Sequence, residues 1–438
     1  MSSIPAPPLP AAAQAALYAA RPAEYLTYCQ RRYGNVFELR TPFVGPVVLI
    51  VSPEDVRTLF TGSTEEVLAG AANQLLSPLL GSRSVMLLDG DPHLRQRRLL
   101  MPPFRGERML AHEPTIRAVT DQVMAEAPRE QPLLLHSYMQ RITLQLLLRI
   151  VLGAADEQSL RDLGAALGRV LQHQQGLDAL WMWKPLQRDL FGLSPWARFR
   201  RDLAIADRLL YRQIERSRSQ LAQGESPRED MLSSLLRVRD ESGQAMTDAE
   251  LRDALMTLLI AGHETTTTML CWAFDLILCH PNVLGAMQAE INAATTFGAL
   301  PYLDAVIKEV LRLRPVIPGP GRLLLQPMKF GDYSVAAGSM VVPATYLTHQ
   351  HAATYPQPQR FLPERFLKQK PDLYAFYPFG GGVRRCIGMS FALHQMNVVI
   401  AQVLQRYRLR KLHAQPARIV LRGFTYAPGS GAEVIVQR

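Results

Sequence analysis

Apolar residues recur at helical spacing through most of the chain and alternate over only a few short stretches. Helices are predicted at residues 11–33, 247–280 and 303–313, at several places between 107 and 221, and after residue 388. Short strands are predicted at residues 36–40 and 47–51 and between 328 and 348. The pattern therefore predicts a mainly α fold with small β-sheets.

Two helix starts are marked by capping residues. Ser52 precedes Pro53, which suits an N-cap followed by proline at the first helical position. Thr247 and Glu250 form a capping box at the start of the longest helical pattern, which ends before Pro281. A helix of about 50 Å would be long enough to cross a membrane. The ionisable and hydroxyl residues in its middle argue against that interpretation.

The composition is that of an ordinary soluble enzyme, with 48% hydrophobic and 20% charged residues among 438. No linker divides the chain, so residues 1–438 are predicted to form a single catalytic domain. Four scattered cysteines fit a reducing cytosol. Residues 1–20 contain neither a basic residue nor a continuous apolar run, which predicts a cytoplasmic protein without a signal peptide or membrane anchor.

The formal net charge of +10 admits three kinds of partner, namely nucleic acid, an anionic membrane surface or an acidic protein. The chain has no run of five or more basic residues and no nucleic-acid motif. An acidic protein partner is therefore favoured over nucleic acid.

A glycine-rich loop with one cysteine, residues 379–388, has the strongest chemical character in the chain. Cys386 lies close to a predicted helix N-terminus and beside two arginines, which favour a metal-binding thiolate. The loop glycines let the backbone approach a flat, bulky group, and Arg384 can neutralise a carboxylate on it. These features suit haem iron held by a cysteine. The other interpretation is an inert, buried cysteine after a turn.

The spacing F-x-x-G-x-R-x-C-x-G in this loop resembles the haem-binding loop of the cytochromes P450. The resemblance implies the fold of that family, a triangular helical prism with a β-rich subdomain, here expected at about residues 34–62 and 322–348. It also implies haem b (iron protoporphyrin IX) with Cys386 as axial ligand. Further cofactor-binding residues would be Phe379, Gly380, Arg384 and Gly388.

His93 and Arg97 are spaced i, i+4 and share one helix face. By themselves they are typical of a solvated basic face. Within the resemblance they match an H-x-x-x-R segment that holds a haem propionate, and Arg322 is expected to do the same.

The middle of the long helix contains Ala261-Gly262-His263-Glu264-Thr265-Thr266. Glycine and threonine weaken a helix interior, which predicts a bulge that opens a polar groove, although a threonine-rich packed helix is the alternative. The segment resembles the A-G-x-E-T motif of the family. Glu264 and Thr265 would then deliver protons to iron-bound dioxygen, and Ala261 would leave room for the ring. His263 is expected to turn away from the iron.

Glu309 and Arg312 are spaced i, i+3 in an apolar helix. A surface ion pair is one explanation, but the family's E-x-x-R motif implies a buried network with Arg365 that holds the cysteine loop.

Substrate-facing positions follow only from the resemblance. The expected pocket residues are Leu258, Ala261, Thr265, Val316, Ile317 and Phe424, with a turn predicted at residues 423–430. A break with Trp181, Trp183, Pro185 and Pro195 is expected to form a mobile region over the entrance.

The resemblance implies a monooxygenase that uses O2 to hydroxylate or epoxidise a lipophilic small molecule such as a fatty acid, terpenoid or steroid. Electrons would come from a ferredoxin or flavodoxin with an NAD(P)H-dependent reductase, and a monomer is expected. The expected docking face contains Arg95, Arg98, Arg105 and Arg385. The alternatives are a peroxygenase or isomerase on the same fold and a non-catalytic haem sensor.

Overall fold

The computed structural model describes residues 3–42, 45–104, 107–153, 156–173, 184–189, 191–223, 230–297, 300–368 and 370–437. Within these residues the helices are α1 (Ala11–Ala20), α2 (Pro22–Tyr33), α3 (Pro53–Thr61), α4 (Ser77–Leu80), α5 (Gly90–Leu100), α6 (Glu107–Leu110), α7 (Glu113–Ala125), α8 (Leu135–Ile150), α9 (Glu157–Gln172), α10 (Pro195–Ala222), α11 (Met231–Arg237), α12 (Asp248–Ile277), α13 (Pro281–Ala293), α14 (Pro301–Leu313), α15 (Thr345–Thr348), α16 (Arg365–Lys368) and α17 (Met389–Arg406).

The strands are β1 (Val36–Thr41), β2 (Gly45–Ile50), β3 (Val67–Leu68), β4 (Pro132–Leu134), β5 (Arg322–Leu324), β6 (Met328–Phe330), β7 (Tyr333–Val335), β8 (Met340–Pro343), β9 (Arg408–Lys411), β10 (Ile419–Arg422), β11 (Thr425–Pro428) and β12 (Glu433–Gln437). The five-stranded sheet has the order β1-β2-β8-β5-β3. Its pairs are antiparallel except β2 with β8, which run parallel. The smaller sheets are β4-β12-β9, β10-β11 and β6-β7. The mainly α fold with small sheets is therefore confirmed.

Helix α12 forms the centre of the core. Its capping box is present, since Thr247 Oγ1 accepts from the Glu250 backbone and Glu250 Oε2 accepts from the Thr247 backbone. Most of its residues are buried, including Trp272, which is completely enclosed. It packs against α8, α10, α14 and α17. The side chains of α12 therefore pack against neighbouring helices along most of its length.

No single helix in the described part of the chain is long and apolar enough to cross a membrane. Helices α12 and α13 meet that test only together, across a bend of 113°.

Two predicted boundaries are wrong. The single helix expected at residues 11–33 is divided at Arg21, whose backbone is extended (φ −146°, ψ 67°). The cause is Pro22, which disfavours helical geometry in the residue before it. The turn expected at 423–430 contains strand β11, which pairs with β10 and leaves only Gly423 and Phe424 in the tight turn.

Candidate active site

The cysteine loop leads directly into helix α17. A 3₁₀ turn, Gly382–Arg384, is followed by Cys386, and Gly388 caps the helix that begins at Met389. The Cys386 backbone N–H donates to the Phe379 carbonyl at 2.9 Å, which closes the loop on itself. The predicted position of the cysteine beside a helix start is confirmed.

The loop glycines have different neighbours from those expected. A Cβ at Gly381 would lie 2.3 Å from the Phe60 ring, and one at Gly382 would lie 2.2 Å from the Phe60 carbonyl oxygen. These two glycines therefore allow the loop to pack on α3, not on a cofactor. Gly380 (φ +68°) and Gly388 have more space, since a Cβ on either would meet only one side-chain atom, at 3.9 Å. Only these two can admit a large group closely.

Without haem, burial opposes ionisation of the Cys386 thiol. Cys386 is exposed, but the protein atoms around its thiol still raise its pKa by burial. The Gly388 backbone N–H and the charges of Arg97 and Arg385 act in the opposite direction but do not outweigh burial. These neighbours act in the direction that the sequence predicts, towards the thiolate, but burial outweighs them in the protein without haem.

A cluster of buried cationic residues lies near the cysteine loop. Arg384 donates to Asp89 Oδ1 at 2.5 Å and to the Leu88 carbonyl at 2.6 Å. Asp89 also accepts three backbone N–H groups from residues 69–71. Arg322 is only 5% exposed, and the hydrogen bonds of its guanidinium within the described ranges go to backbone carbonyls, those of Pro320 and Gly321. The Asp89 carboxylate therefore pairs directly with Arg384, and its negative charge also acts on the nearby His93 and Arg322.

These cations affect one another's ionisation. Burial, together with Arg384 and Arg97, lowers the pKa of His93 to about 4. Burial and the charge of Arg384 lower the pKa of Arg322 to about 10. Burial also lowers the pKa of Arg97, although the nearby Cys386 opposes the shift. His93 is therefore neutral at pH 7, and the arginines still carry more positive charge than Asp89 can balance.

The middle of α12 remains a regular helix, so the predicted bulge is wrong. Thr265 Oγ1 donates to the Ala261 carbonyl at 2.5 Å, one turn back. Gly262 serves helix packing, because a Cβ there would lie 3.1 Å from Leu147 Cδ2 on α8. Ala261 is exposed on an otherwise buried helix, and Glu264 and Thr265 are partly exposed. This stripe of α12 faces open space.

Two side chains from α8 lie beside the Glu264 carboxylate. Gln140 Nε2 donates to Glu264 Oε2 at 3.4 Å, and His136 Nε2 lies 3.7 Å from Glu264 Oε1. Burial alone would raise the pKa of Glu264, but His136, the nearby His263 and Gln140 together lower it below its usual value. The carboxylate is therefore ionised at pH 7. His263 turns away from it and bonds Thr143 Oγ1 through Nδ1 at 2.9 Å.

Glu264 and Thr265 line a cavity of about 500 Å³. Its apolar lining residues are Leu76, Leu79, Leu80, Met86, Leu144, Leu171, Ile260, Ala261, Ile317 and Phe424. Its polar lining residues include Ser137, Gln140, Arg141, Gln172 and Arg422. Among the expected pocket residues, Leu258 and Val316 do not line this cavity. Val316 belongs to the hydrophobic core, and Leu258 packs against it.

Comparison with known proteins identifies the family. The cytochrome P450 family model matches residues 4–430. The chain belongs to the cytochrome P450 family. It is 38% identical over 440 residues to a Mycobacterium bovis protein that bears the name cytochrome P450 135B1, covering 99% of this chain and 91% of that one. It is 34% identical over 425 residues to Mycobacterium tuberculosis cytochrome P450 137, covering 97% and 87%.

Solved cytochrome P450 structures have the same fold. The retinoic-acid-bound cyanobacterial CYP120A1 has a TM-score of 0.83 at 25% identity and covers 99% of this chain and 100% of its own. The haem domain of cytochrome P450DA has a TM-score of 0.86 at 21% identity, with coverage of 100% and 98%. The predicted fold and family are confirmed, and the chain is therefore a haem-thiolate monooxygenase by family.

The donor set of this cytochrome P450 fits haem. The surplus positive charge of Arg97, Arg322 and Arg384 suits the two carboxylates of a protoporphyrin, and neutral His93 can donate a hydrogen bond to one of them. Gly380 and Gly388 leave space beside Cys386. Within the described residues, no group of three or more histidine, cysteine or acidic side chains is placed to hold a metal ion directly.

The Glu309 network of this cytochrome P450 is completely buried at its centre. Arg312 donates to both Glu309 carboxylate oxygens, at 2.7 and 2.8 Å, and Arg365 approaches the same carboxylate at 3.4 Å. Arg312 also donates to the His349 carbonyl at 3.0 Å. His349 Nε2 in turn accepts the Tyr377 backbone N–H at 3.0 Å, two positions before Phe379. A continuous chain of hydrogen bonds therefore connects the network to the start of the cysteine loop.

Sequence reasoning missed three polar residues of the site. Asp89 is the counter-ion of Arg384, and His136 and Gln140 lie beside Glu264. The signal for the last two was available, since His136, Gln140 and Thr143 form a polar stripe with i, i+4 and i+7 spacing on an apolar helix.

The expected docking face is only partly supported. Arg95 forms ion pairs with Asp240 at 2.7 Å and Glu250 at 2.6 Å, so its charge is already neutralised. Arg98 pairs with Glu241 at the surface. Arg385 is exposed, and its guanidinium donates to the Met389 sulfur at 3.2 Å without a carboxylate partner among the described residues.

The remaining predictions concern one arginine of the docking face and the region expected over the entrance. Arg105, Trp181 and Trp183 lie outside the described residues. Pro185 lies in a short 3₁₀ turn, and Pro195 is the first residue of α10.

Proposed function

We propose that this cytochrome P450 uses O2 to hydroxylate or epoxidise a lipophilic small molecule. The observation that carries the proposal is the position of Glu264 and Thr265, an acid and a hydroxyl, in the wall of one mainly apolar cavity. A peroxygenase or isomerase does not need this acid–alcohol pair for proton supply, and a sensor needs no proton supply.

The roles of the residues follow from their positions. Haem b, when bound, supplies the iron that activates dioxygen. Cys386 would be its thiolate ligand, and His93, Arg97, Arg322 and Arg384 would hold its propionates. The Cys386 thiolate would form on metal binding, because iron replaces the proton whose loss burial opposes.

Proton supply is the task of α12. Ionised Glu264 can take up a proton at a carboxylate oxygen and release it into the cavity. Thr265 Oγ1 now donates to the Ala261 carbonyl at 2.5 Å, and a rotation about χ1 would direct it towards the cavity. The apolar lining side chains exclude bulk water, which limits unproductive proton transfer.

The substrate class follows from the cavity wall. Its lining is mostly aliphatic, which favours a fatty acid, terpenoid, steroid or similar molecule. Arg422 also lines the cavity and has no carboxylate partner within the described residues, whereas Arg141 is paired with Glu126 at 2.6 Å. A substrate with an anionic end would therefore find a free countercharge at Arg422. The cyanobacterial CYP120A1 is bound to retinoic acid, a lipophilic carboxylate.

We further propose a cytoplasmic monomer that receives electrons from a separate ferredoxin or flavodoxin with an NAD(P)H-dependent reductase. The net charge of +10 and exposed Arg385 favour an acidic electron carrier. Such docking is screened by salt, so the rate of reduction should fall as ionic strength rises. A rate independent of salt would contradict this choice of partner.

Two measurements test the proposed reaction. A compound library is first screened for ligands that change the spin state of the ferric haem. Those ligands are then tested for substrate-dependent O2 consumption with a surrogate ferredoxin and reductase. The proposal predicts an oxygenated product formed in proportion to O2 consumed. Binding without O2 consumption would support a sensor, and product formed from peroxide alone would support a peroxygenase.

A further inference from the structure

We propose that His136 passes protons from the outer surface to Glu264, so that the His136–Glu264 pair is the proton entry of the site. The proposal rests on the proposed monooxygenase function, in which Glu264 supplies protons to the cavity. His136 lies in the first turn of α8 and is not part of the A-G-x-E-T motif. It would be a positioning and relay residue that does not touch the substrate.

The two side chains face each other without competing partners. His136 Nε2 lies 3.7 Å from Glu264 Oε1, which is within ion-pair range but too long for a direct hydrogen bond. Neither atom has a hydrogen-bond partner among the residues that the structure describes, although both are buried. Buried polar atoms without partners are uncommon and costly. A shift of less than 1 Å would satisfy both atoms at once, so a proton can be exchanged between them.

The pair spans the wall of the cavity. Glu264 lines the cavity, and His136 does not. The His136 side chain nevertheless keeps 13% of its surface exposed, and the proposal assigns this surface to the outer side of the wall. The imidazole can therefore exchange protons with outside water while its Nε2 faces the carboxylate inside.

Other groups around the pair do not replace His136. On α12 the other titratable neighbour is His263, whose Nδ1 bonds Thr143 and whose pKa burial lowers to about 4. On α8, the Gln140 amide donates a hydrogen bond to Glu264 but does not give up its proton, and Arg141 is paired with Glu126. On the side of strand β12, the Gly431 carbonyl accepts the His136 backbone N–H. Among the described residues around Glu264, His136 is the side chain whose Nε2 faces the carboxylate without another hydrogen-bond partner.

The proposed step moves only protons. The imidazolium of His136 gives its Nε2 proton to Glu264 Oε1 and keeps its Nδ1 proton. The ring then turns over, so that the bare Nε2 takes up a proton from hydronium in the outside water, and the return of the ring restores the imidazolium beside Glu264. Glu264 then releases the same proton into the cavity. No electron is transferred, and no bond other than N–H and O–H forms or breaks.

The pairing is tested first by a measurement that does not depend on turnover. The haem-loaded protein is labelled with ¹⁵N-histidine and prepared in the diamagnetic, reduced, carbon-monoxide-bound form. The proposal predicts that Glu264→Gln changes the His136 imidazole nitrogen shifts and leaves those of His413 unchanged. His413 is a matched control, because it pairs with Glu433 at 3.1 Å on the surface. Unchanged His136 shifts would overturn the pairing.

The relay is tested by turnover of His136→Gln and His136→Asn, with His413→Gln as control. The relay predicts that kcat falls about tenfold, less than the hundredfold or more typical of losing a direct general acid. KM should not change, the solvent isotope effect on kcat should rise, and less product should form per NAD(P)H. Normal kcat and coupling in both His136 variants would overturn the relay. If the wild-type protein consumes no O2 with any ligand, the proposed function fails instead, and the nitrogen shifts still decide the pairing.

Discussion

Replacing Arg312 with methionine should destabilise the protein strongly. Arg312 is completely buried and donates to both oxygens of Glu309 and to the carbonyls of His349, Pro358 and Arg360. Methionine keeps most of the side-chain volume but leaves a buried carboxylate without its main partner. Breaking a buried ion pair in this way costs about 3 to 5 kcal/mol, out of a typical total of about 5 to 15 kcal/mol.

The effect can be measured as a shift of the thermal midpoint and as haem bound per chain. An unfolding entropy of about 2.1 cal/mol/K per residue converts this cost into a decrease of about 3 to 5 °C for a chain of this length. Haem content should also decrease, because Arg312 is connected to the cysteine loop through His349 and Tyr377. Lys308→Gln on the same helix is the control, since Lys308 forms a half-exposed pair with Asp304 worth at most about 1 kcal/mol.

A double variant separates the ion pair from simple packing. Removing both charges, as in Glu309→Leu with Arg312→Met, should cost less than the sum of the two single changes, because no buried charge is left alone. If Arg312→Met lowers the midpoint no more than Lys308→Gln does, the network does not stabilise the fold or the loop.

Three further predictions concern the cavity and the buried histidines. Thr265→Ala should lower the product formed per NAD(P)H several-fold, and coupling equal to that of the wild type would exclude a proton-supply role. Arg422→Gln should weaken binding of long-chain carboxylates about tenfold, as expected for losing one charge-assisted hydrogen bond. The corresponding alcohols should be unaffected, and Arg141→Gln should have little effect because Arg141 is already paired. The pKa values of His93 and His263 are lowered from 6.5 to about 4 by burial, so the unfolded chain binds more protons between these pH values. Stability should therefore decrease as pH falls from about 6.5 to 4, with a smaller decrease for His263→Gln, and equal slopes would contradict the burial argument.

The sequence predicts correctly those features that are formed by residues close together in the chain. The capping box of Thr247, the Glu309–Arg312 spacing and the position of Cys386 before a helix all follow from local patterns, and the structure contains each of them. The break before Pro22 was also local and could have been predicted from the restriction that proline imposes on Arg21.

Contacts between distant segments could not be predicted in this way. Gly381 and Gly382 are required by Phe60, more than 300 positions earlier, and Gly262 packs closely against Leu147. The prediction of a bulge at Gly262 was wrong because the sequence alone cannot distinguish a weak helix from a close helix–helix contact. Asp89 and His136 were missed for the same reason, since their partners come from other elements.

The most direct test of the account is the optical spectrum of the reduced, carbon-monoxide-bound protein. If Cys386 is the thiolate ligand, the wild-type protein shows the red-shifted Soret band of thiolate ligation. Cys386→Ser should abolish this band, and Cys279→Ser, a change at a partly buried cysteine elsewhere, should not. A wild-type spectrum without the red-shifted band, or a red-shifted band that persists in Cys386→Ser, would contradict the central claim that this loop holds haem through Cys386.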